Sequence, residues 1–187
     1  MLTSSISFVN FKKKIKYKKV KKNLKLIIDN KSQNQVIKSL SKNYKYSFKK
    51  KKLDKYRKLS NFRVIGMGGS ILGTQSIYEF LKNRIKKNFL FIDNLESNLK
   101  TKKNKKFVNI IISKSGNTLE TISNSNLLIQ NNKKNIFITE KKNNYLNILA
   151  NSIKAEVVEH KNYIGGRYSV LSEVGMLPAE LMGLNSK

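Results

Sequence analysis

An apolar run from Phe107 to Ile112 gives way to Ser113-Lys114-Ser115-Gly116-Asn117-Thr118-Leu119-Glu120-Thr121, which holds four hydroxyl residues and a lysine around one glycine. The chemistry these types offer is phosphate binding. Ser113, Ser115 and Thr118 can each donate an O–H to a phosphate oxygen, Lys114 supplies charge, and Gly116 lets the backbone approach closely. No acidic side chain intrudes before Glu120, as a dianion requires. The Val- and Ile-rich run reads as a strand and the residues after it suit a helix start. At that junction the unpaired N–H groups of the first helical turn and the helix dipole both favour an anion. The same residues also suit an ordinary N-cap turn, so this segment alone leaves both readings open.

Two further segments repeat the theme. Phe62 to Met67 is a second apolar strand that runs into Gly68-Gly69-Ser70, followed by Ile77, Phe80, Leu81 and Ile85 at helical spacing. Ser70 can reach a sugar hydroxyl or a phosphate, and the glycines let the backbone close in; a tight turn that binds nothing fits equally. In Asn162-Tyr163-Ile164-Gly165-Gly166-Arg167-Tyr168-Ser169, Arg167 follows two glycines, on backbone free to present its guanidinium to an anionic oxygen.

In that order, the segments Gly66 to Ser70, Ser113 to Thr121 and Asn162 to Pro178 resemble the glucose-6-phosphate isomerase (phosphoglucose isomerase) family and its sugar isomerase (SIS) domain, over about residues 60 to 185. The third match is the specific one. The family signature runs polar residue, variable position, aliphatic residue, Gly-Gly-Arg, aromatic, Ser and a closing Gly, and Asn162 to Gly175 fit it nearly throughout. Glu173 departs from it, standing where the family usually has a small residue or proline. The resemblance implies that Gly69 and Ser70 contact the sugar phosphate, that Ser113, Lys114, Ser115 and Thr118 bind the phosphate, and that Arg167 stabilises the charge of an enediolate-like intermediate. It implies reversible aldose–ketose isomerisation of glucose 6-phosphate and fructose 6-phosphate, with no metal or organic cofactor, in the cytoplasm, by a homodimer at full length. A bifunctional phosphoglucose/phosphomannose isomerase and a non-catalytic SIS module that binds a phosphosugar are the rival readings. The Gly-Gly-Arg signature favours an isomerase, because a sensor needs no group for an enediolate.

Family members continue into a second SIS domain that carries the glutamate base and an assisting histidine and lysine. This chain is therefore expected to be the N-terminal SIS portion of such a protein, inactive by itself. His160, the single histidine, does not match the family's catalytic one, and Glu120, Glu173 and Glu180 do not match its base.

Composition bounds the alternatives. The 187 residues, 39% of them hydrophobic, suffice for one domain-sized core plus an appendage. The absence of Cys excludes disulfides, thiolate metal sites and a cysteine nucleophile, and fits a reducing compartment. No apolar run approaches the roughly 18 residues needed to span a bilayer, so no membrane is expected as a partner. Met1 to Asn10 is too short and polar for a signal peptide, though the acid-free residues 1 to 28 faintly resemble a transit sequence.

The net charge of +28 would ordinarily suggest nucleic acid. Residues 1 to 60, however, hold 20 Lys+Arg against 2 Asp+Glu, and the basic residues are mostly Lys rather than the better base reader Arg. Abundant Asn beside Lys is what an AT-rich coding sequence produces, so nucleic acid is not the expected partner. Tyr17, Tyr44, Tyr46 and Phe48, interleaved with this charge, are read as the apolar side of helices packed on the core rather than as base-stacking groups.

The elements that must position the motifs follow from periodicity. Residues 1 to 58 read as a lysine-rich helical leader, with helices near 8 to 28 and 33 to 42 and a charged connection through Lys49-Lys50-Lys51-Lys52. Residues 59 to 187 form the SIS domain, with strands near 62 to 67, 89 to 93, 107 to 112, 135 to 139 and 155 to 159. Helices are expected near 71 to 86, 118 to 131, 143 to 153 and 170 to 183. This alternation predicts an α/β fold: a three-layer, flavodoxin-like arrangement of a five-stranded parallel sheet with helices on both faces. Ligands of such sheets bind outside the carboxyl ends of the strands, which places the Ser70 and Ser113 turns on one rim.

Overall fold

The computed structural model describes residues 17–29, 34–41, 43–95, 107–129 and 134–186. The chain divides into two compact units, Met1–Lys38 and Ser39–Lys187. In the first, α1 (Tyr17–Asp29) carries Val20, Leu24, Ile27 and Ile28 along one side, all exposed. The helix α2 (Gln35–Ser39) follows, with Asn34 Oδ1 accepting the Val36 and Ile37 N–H groups at 3.0 and 3.3 Å as its cap. Residues 8 to 16 of the first expected helix lie outside the described residues.

The second unit begins before the boundary read from the sequence. The lysine run expected as a connection is the first turn of α3 (Lys50–Arg57), whose Leu53 and Tyr56 are buried. Phe48, just before it, is buried too, while Tyr46 stacks on Phe48 at 5.1 Å and meets Tyr44 edge-on at 5.3 Å. These aromatics do pack on the core, but from a non-helical segment rather than from helices; the side chain of Tyr17 lies outside the described residues. Leu53 and Tyr56, three residues apart, give α3 its apolar side, and Glu180 accepts Lys50 and, at 3.1 Å, Arg57. Residues 39 to 58 therefore belong with the sheet.

The elements that follow are β1 (Asn61–Gly66), α4 (Leu72–Phe80), β2 (Asn88–Ile92), β3 (Val108–Ile112), α5 (Leu119–Leu128), β4 (Asn135–Thr139), α6 (Tyr145–Ser152), β5 (Glu156–Glu159) and α7 (Glu173–Met182). The five strands are parallel in the order β2-β1-β3-β4-β5. Period-two alternation divides their side chains. Phe62, Val64, Ile110, Ile112, Ile136 and Ile138 face one core with residues of α3 and α7, while Ile65, Ile111 and Phe137 face another with residues of α5 and α6. The expected three layers are thus present. The helix expected to reach residue 86 ends at Phe80, with a 3₁₀ turn over Lys82–Arg84.

The helices on the first face are held by a specific exchange. Pro178 lies inside α7 and has no N–H to give the Val174 carbonyl four residues back. Thr74 of α4 donates its O–H to that carbonyl instead, at 3.0 Å. The carbonyl left over by proline becomes the contact that joins α4 to α7.

Candidate functional site

β1 and β3 are neighbours, and the chain leaves them to opposite faces: from β1 into α4, from β3 into α5. That is the topological switch point of an open parallel sheet, where a crevice must form. The pairing of Gly66 with Ile112 sets the turns that follow, Met67–Ser70 and Ser113–Thr118, side by side at its mouth.

The 113–118 turn is built from its own hydroxyls. Ser113, 2% exposed, accepts the Gly116 N–H at 3.2 Å and shares a 2.9 Å hydrogen bond with Thr118 Oγ1. Ser115, exposed, accepts the Asn117 N–H at 3.2 Å. Ser113 and Ser115 therefore both serve as acceptors within the turn, and when Ser113 donates to Thr118, the protons of Thr118 and Ser115 are free to point outward. Gly116 has φ +71°, and a β-carbon there would overlap the Asn144 amide, so both conformation and space require glycine. Asn144 caps α6 by accepting the Asn147 N–H at 2.9 Å, and Leu146 N–H donates to the Gly116 carbonyl at 3.1 Å. The turn is thereby fastened to the start of α6. Thr118, the N-cap of α5, makes no side-chain cap, and the first hydrogen bond of the helix runs from Ile122 N–H to the Thr118 carbonyl. The N–H groups of Leu119, Glu120 and Thr121 precede it, the usual orphan donors that suit an anion.

The other two motifs meet each other. Gly68–Ser70 forms one 3₁₀ turn and Gly166–Tyr168 another. A β-carbon on Gly69 would overlap the Gly166 carbonyl and lie 3.0 Å from Arg167 N. Ser169 Oγ bonds both backbones, Gly166 O at 2.7 Å and Gly69 O at 3.1 Å. Ser70 is half-buried and Arg167 exposed, and neither side chain has a hydrogen-bond or ion-pair partner among the described residues. Both are available to a ligand, and the Gly69 contact forces Arg167 to stand beside the Ser70 turn.

Lys114 departs from the expectation that its charge lies over the cradle. Its ammonium donates to the Asn162 carbonyl at 2.7 Å and stands 3.6 Å from Glu140 Oε1. It therefore ties the second motif to the start of the third. Glu140 is held below the usual carboxylate range, first by its hydrogen bond from Lys142, and burial opposes this without cancelling it. His160 is 2% exposed, with Nδ1 3.0 Å from the Lys161 carbonyl. Burial pushes its pKa down, so the ring is neutral near pH 7. Among the described residues no three His, Asp or Glu side chains are grouped to hold a metal ion.

Comparison with known proteins bears on the whole arrangement. The family model for phosphoglucose isomerase matches residues 17–185. The chain belongs to the phosphoglucose isomerase family. It is 38% identical over 154 residues to the glucose-6-phosphate isomerase of Methanocaldococcus jannaschii, an alignment covering 71% of this chain and 36% of that protein. To the enzyme of the same name from Acholeplasma laidlawii it is 34% identical over 165 residues, covering 74% and 39%. For that of Borreliella afzelii the figures are 37% over 141 residues, covering 65% and 26%. The chain thus spans between about a quarter and two fifths of the length of these relatives. Among solved structures, a hypothetical protein from Thermus thermophilus matches with TM-score 0.67 at 20% identity, covering 90% of this chain and 46% of that one. The tagatose-6-phosphate ketose/aldose isomerase of Escherichia coli matches with TM-score 0.53 at 18% identity, covering 89% and 45%. At these identities the two structures speak for the fold alone, a parallel α/β arrangement.

One further residue singled out by the sequence stands at the start of α7. Glu173, the first residue of α7, is fully buried. Its carboxylate accepts the Tyr44 hydroxyl, 3.0 Å from each oxygen, and the Ser47 N–H at 2.8 Å. Burial, then the charge and hydrogen bond of Glu173, push the Tyr44 hydroxyl far above its ordinary pKa, so it remains a donor. The sequence alone singled out Glu173 but gave no site role to Tyr44, Asn144 or Ser169. Nothing in their spacing marks them; Ser169 alone sits inside a motif.

Proposed function

We propose that this chain forms the sugar-phosphate-binding part of a glucose-6-phosphate isomerase, which interconverts glucose 6-phosphate and fructose 6-phosphate in glycolysis and gluconeogenesis. In this reading the phosphate sits at the start of α5, on the N–H groups of residues 119 to 121 and the outward hydroxyls of Ser115 and Thr118, with Ser70 and the Gly69 backbone closing the sugar side. Arg167 faces the C1–C2 end, where negative charge develops as the enediolate forms. Ser113 and Lys114 shape the turn, with Lys114 contributing its field from the Asn162 side. The observation that carries the reading is the asymmetric meeting of Gly69 with Gly166, which holds Arg167, unpaired among the described residues, beside a switch-point turn whose Ser70 hydroxyl is likewise without a partner there.

Moving a proton between C1 and C2 needs a carboxylate within hydrogen-bond reach. Glu140 is engaged by Lys114 and Lys142 and Glu173 by Tyr44 and Ser47, while Glu120, which has no partner among the described residues, stands in the first turn of α5, at the phosphate end of this reading rather than at C1–C2. We therefore assign no base among the described residues, and the chain alone binds the hexose phosphate without turning it over. The reading uses no metal or organic cofactor, places the reaction in the cytoplasm and expects a homodimer at full length. No described helix is long and apolar enough to cross a membrane. Amide NMR tests the site. Titration with fructose 6-phosphate should shift Ser70, Gly116, residues 118 to 121 and Arg167 together; shifts confined to the lysine-rich surface would overturn the assignment.

A further inference from the structure

We propose that Glu173 is a positioning residue for Arg167, acting through Tyr44 and Ser47; this rests on the assignment of Arg167 to the charged end of the sugar. A fully buried carboxylate is costly unless its lone pairs are satisfied, and here the donors come from residues 44 and 47, far away in sequence. The Tyr44 ring is itself fixed, edge-on against Tyr46, which stacks on buried Phe48. Glu173 is thus a peg between the segment before α3 and the first turn of α7.

Between that peg and Arg167 the chain has no slack. Ser172 Oγ donates to the Ser169 carbonyl at 2.6 Å, and Ser169 Oγ donates in turn to the Gly166 and Gly69 carbonyls. Val170 is wedged between two glycines: a β-carbon on Gly73 would come within 2.8 Å of its side chain, and one on Gly175 would overlap its carbonyl. A displacement of the start of α7 is therefore carried through residues 169 to 172 to the turn that bears Arg167. Among the described residues the phosphate end, built on β3, α5 and α6, has no hydrogen bond to this linkage. Loosening the peg should weaken recognition of charge at C1 and leave phosphate recognition alone.

Two ligands separate these effects: sorbitol 6-phosphate, with a neutral C1, and arabinonate 5-phosphate, a sugar acid whose carboxylate imitates the enediolate charge. Calorimetry on the full 187-residue chain compares them for the wild type, Tyr44→Phe, Glu173→Ala and Glu173→Gln. Tyr44→Phe should weaken the sugar acid several-fold, with about tenfold, the full effect of one hydrogen bond to a charged group, as its ceiling, and change sorbitol 6-phosphate less than about twofold. Glu173→Ala should weaken the sugar acid further still. Glu173→Gln, which keeps an acceptor for Tyr44, should restore most of the loss and serves as the folded comparison if another variant unfolds. Equal weakening of both ligands, or unchanged sugar-acid affinity in folded Glu173→Ala, would overturn the proposal. If the wild type bound sorbitol 6-phosphate but showed no preference for the acid, the Arg167 assignment would fail, and the positioning role with it.

Discussion

Gly69 and Gly166 touch backbone to backbone, but the contact is one-sided: a β-carbon on Gly69 overlaps the Gly166 carbonyl, whereas one on Gly166 finds only Gly69 Cα, at 3.9 Å. Of these two glycines, nearly a hundred residues apart, the contact thus requires only Gly69 to be glycine.

The asymmetry predicts unequal substitutions. Gly69→Ala must push the Arg167 turn away from the Ser70 turn, costing about 1 to 3 kcal/mol of stability, as overpacking does, and weakening hexose phosphate binding. Gly166→Ala should cost less than about 1 kcal/mol and spare binding. Thermal unfolding and calorimetry on both variants check this, and equal effects would remove the close approach as the reason for Gly69.

The hydroxyls of the 113–118 turn divide by where their protons go. Ser115→Ala and Thr118→Ala each remove a donor to a charged group and should weaken fructose 6-phosphate binding about tenfold or more. Ser113→Ala removes instead the partner of Thr118 Oγ1 and one of two acceptors of the Gly116 N–H, the Ser113 carbonyl remaining, and should show mainly as about 1 kcal/mol of lost stability in denaturant unfolding.

Much of this was legible beforehand. The strands stood out because a parallel sheet covered on both faces demands near-continuous Val and Ile, and the three motifs fell on the rim because βα order fixes which strand ends carry them. What escaped was set by partners distant in sequence. α3 hid inside a lysine run because its apolar side is just Leu53 and Tyr56, and the anion that compensates its charge, Glu180, lies over 120 residues on. The ammonium of Lys114 turned to Asn162 and Glu140 for the same reason: hydrogen-bond partners across strand ends are not written in local spacing.

If α3 is core, Leu53→Ala should destabilise the sheet unit by about 2 to 5 kcal/mol, as fully buried leucines do. A loss below about 0.5 kcal/mol in denaturant unfolding would return the helix to a surface leader.

His160 predicts a pH dependence of stability. Burial lowers its folded-state pKa beneath the ordinary value of 6.5, so the unfolded chain binds the extra proton first. Its contribution is complete above about pH 6.5 and falls as pH drops from there toward the folded value. Because it is the single histidine, His160→Gln should flatten that part of the stability curve. Glu140, whose folded pKa is depressed, loses its contribution only at lower pH, below the ordinary 4.5 and down through its folded value.

The central claim, a hexose phosphate held at the β1/β3 switch point, is tested most directly by calorimetric titration of the chain with fructose 6-phosphate and with fructose. The account predicts one saturable site for the phosphorylated sugar, none detectable for fructose, and loss of about a hundredfold or more in affinity in the double variant Ser115→Ala, Thr118→Ala. A folded chain that binds neither sugar, or binds fructose 6-phosphate undiminished in the double variant, would contradict it.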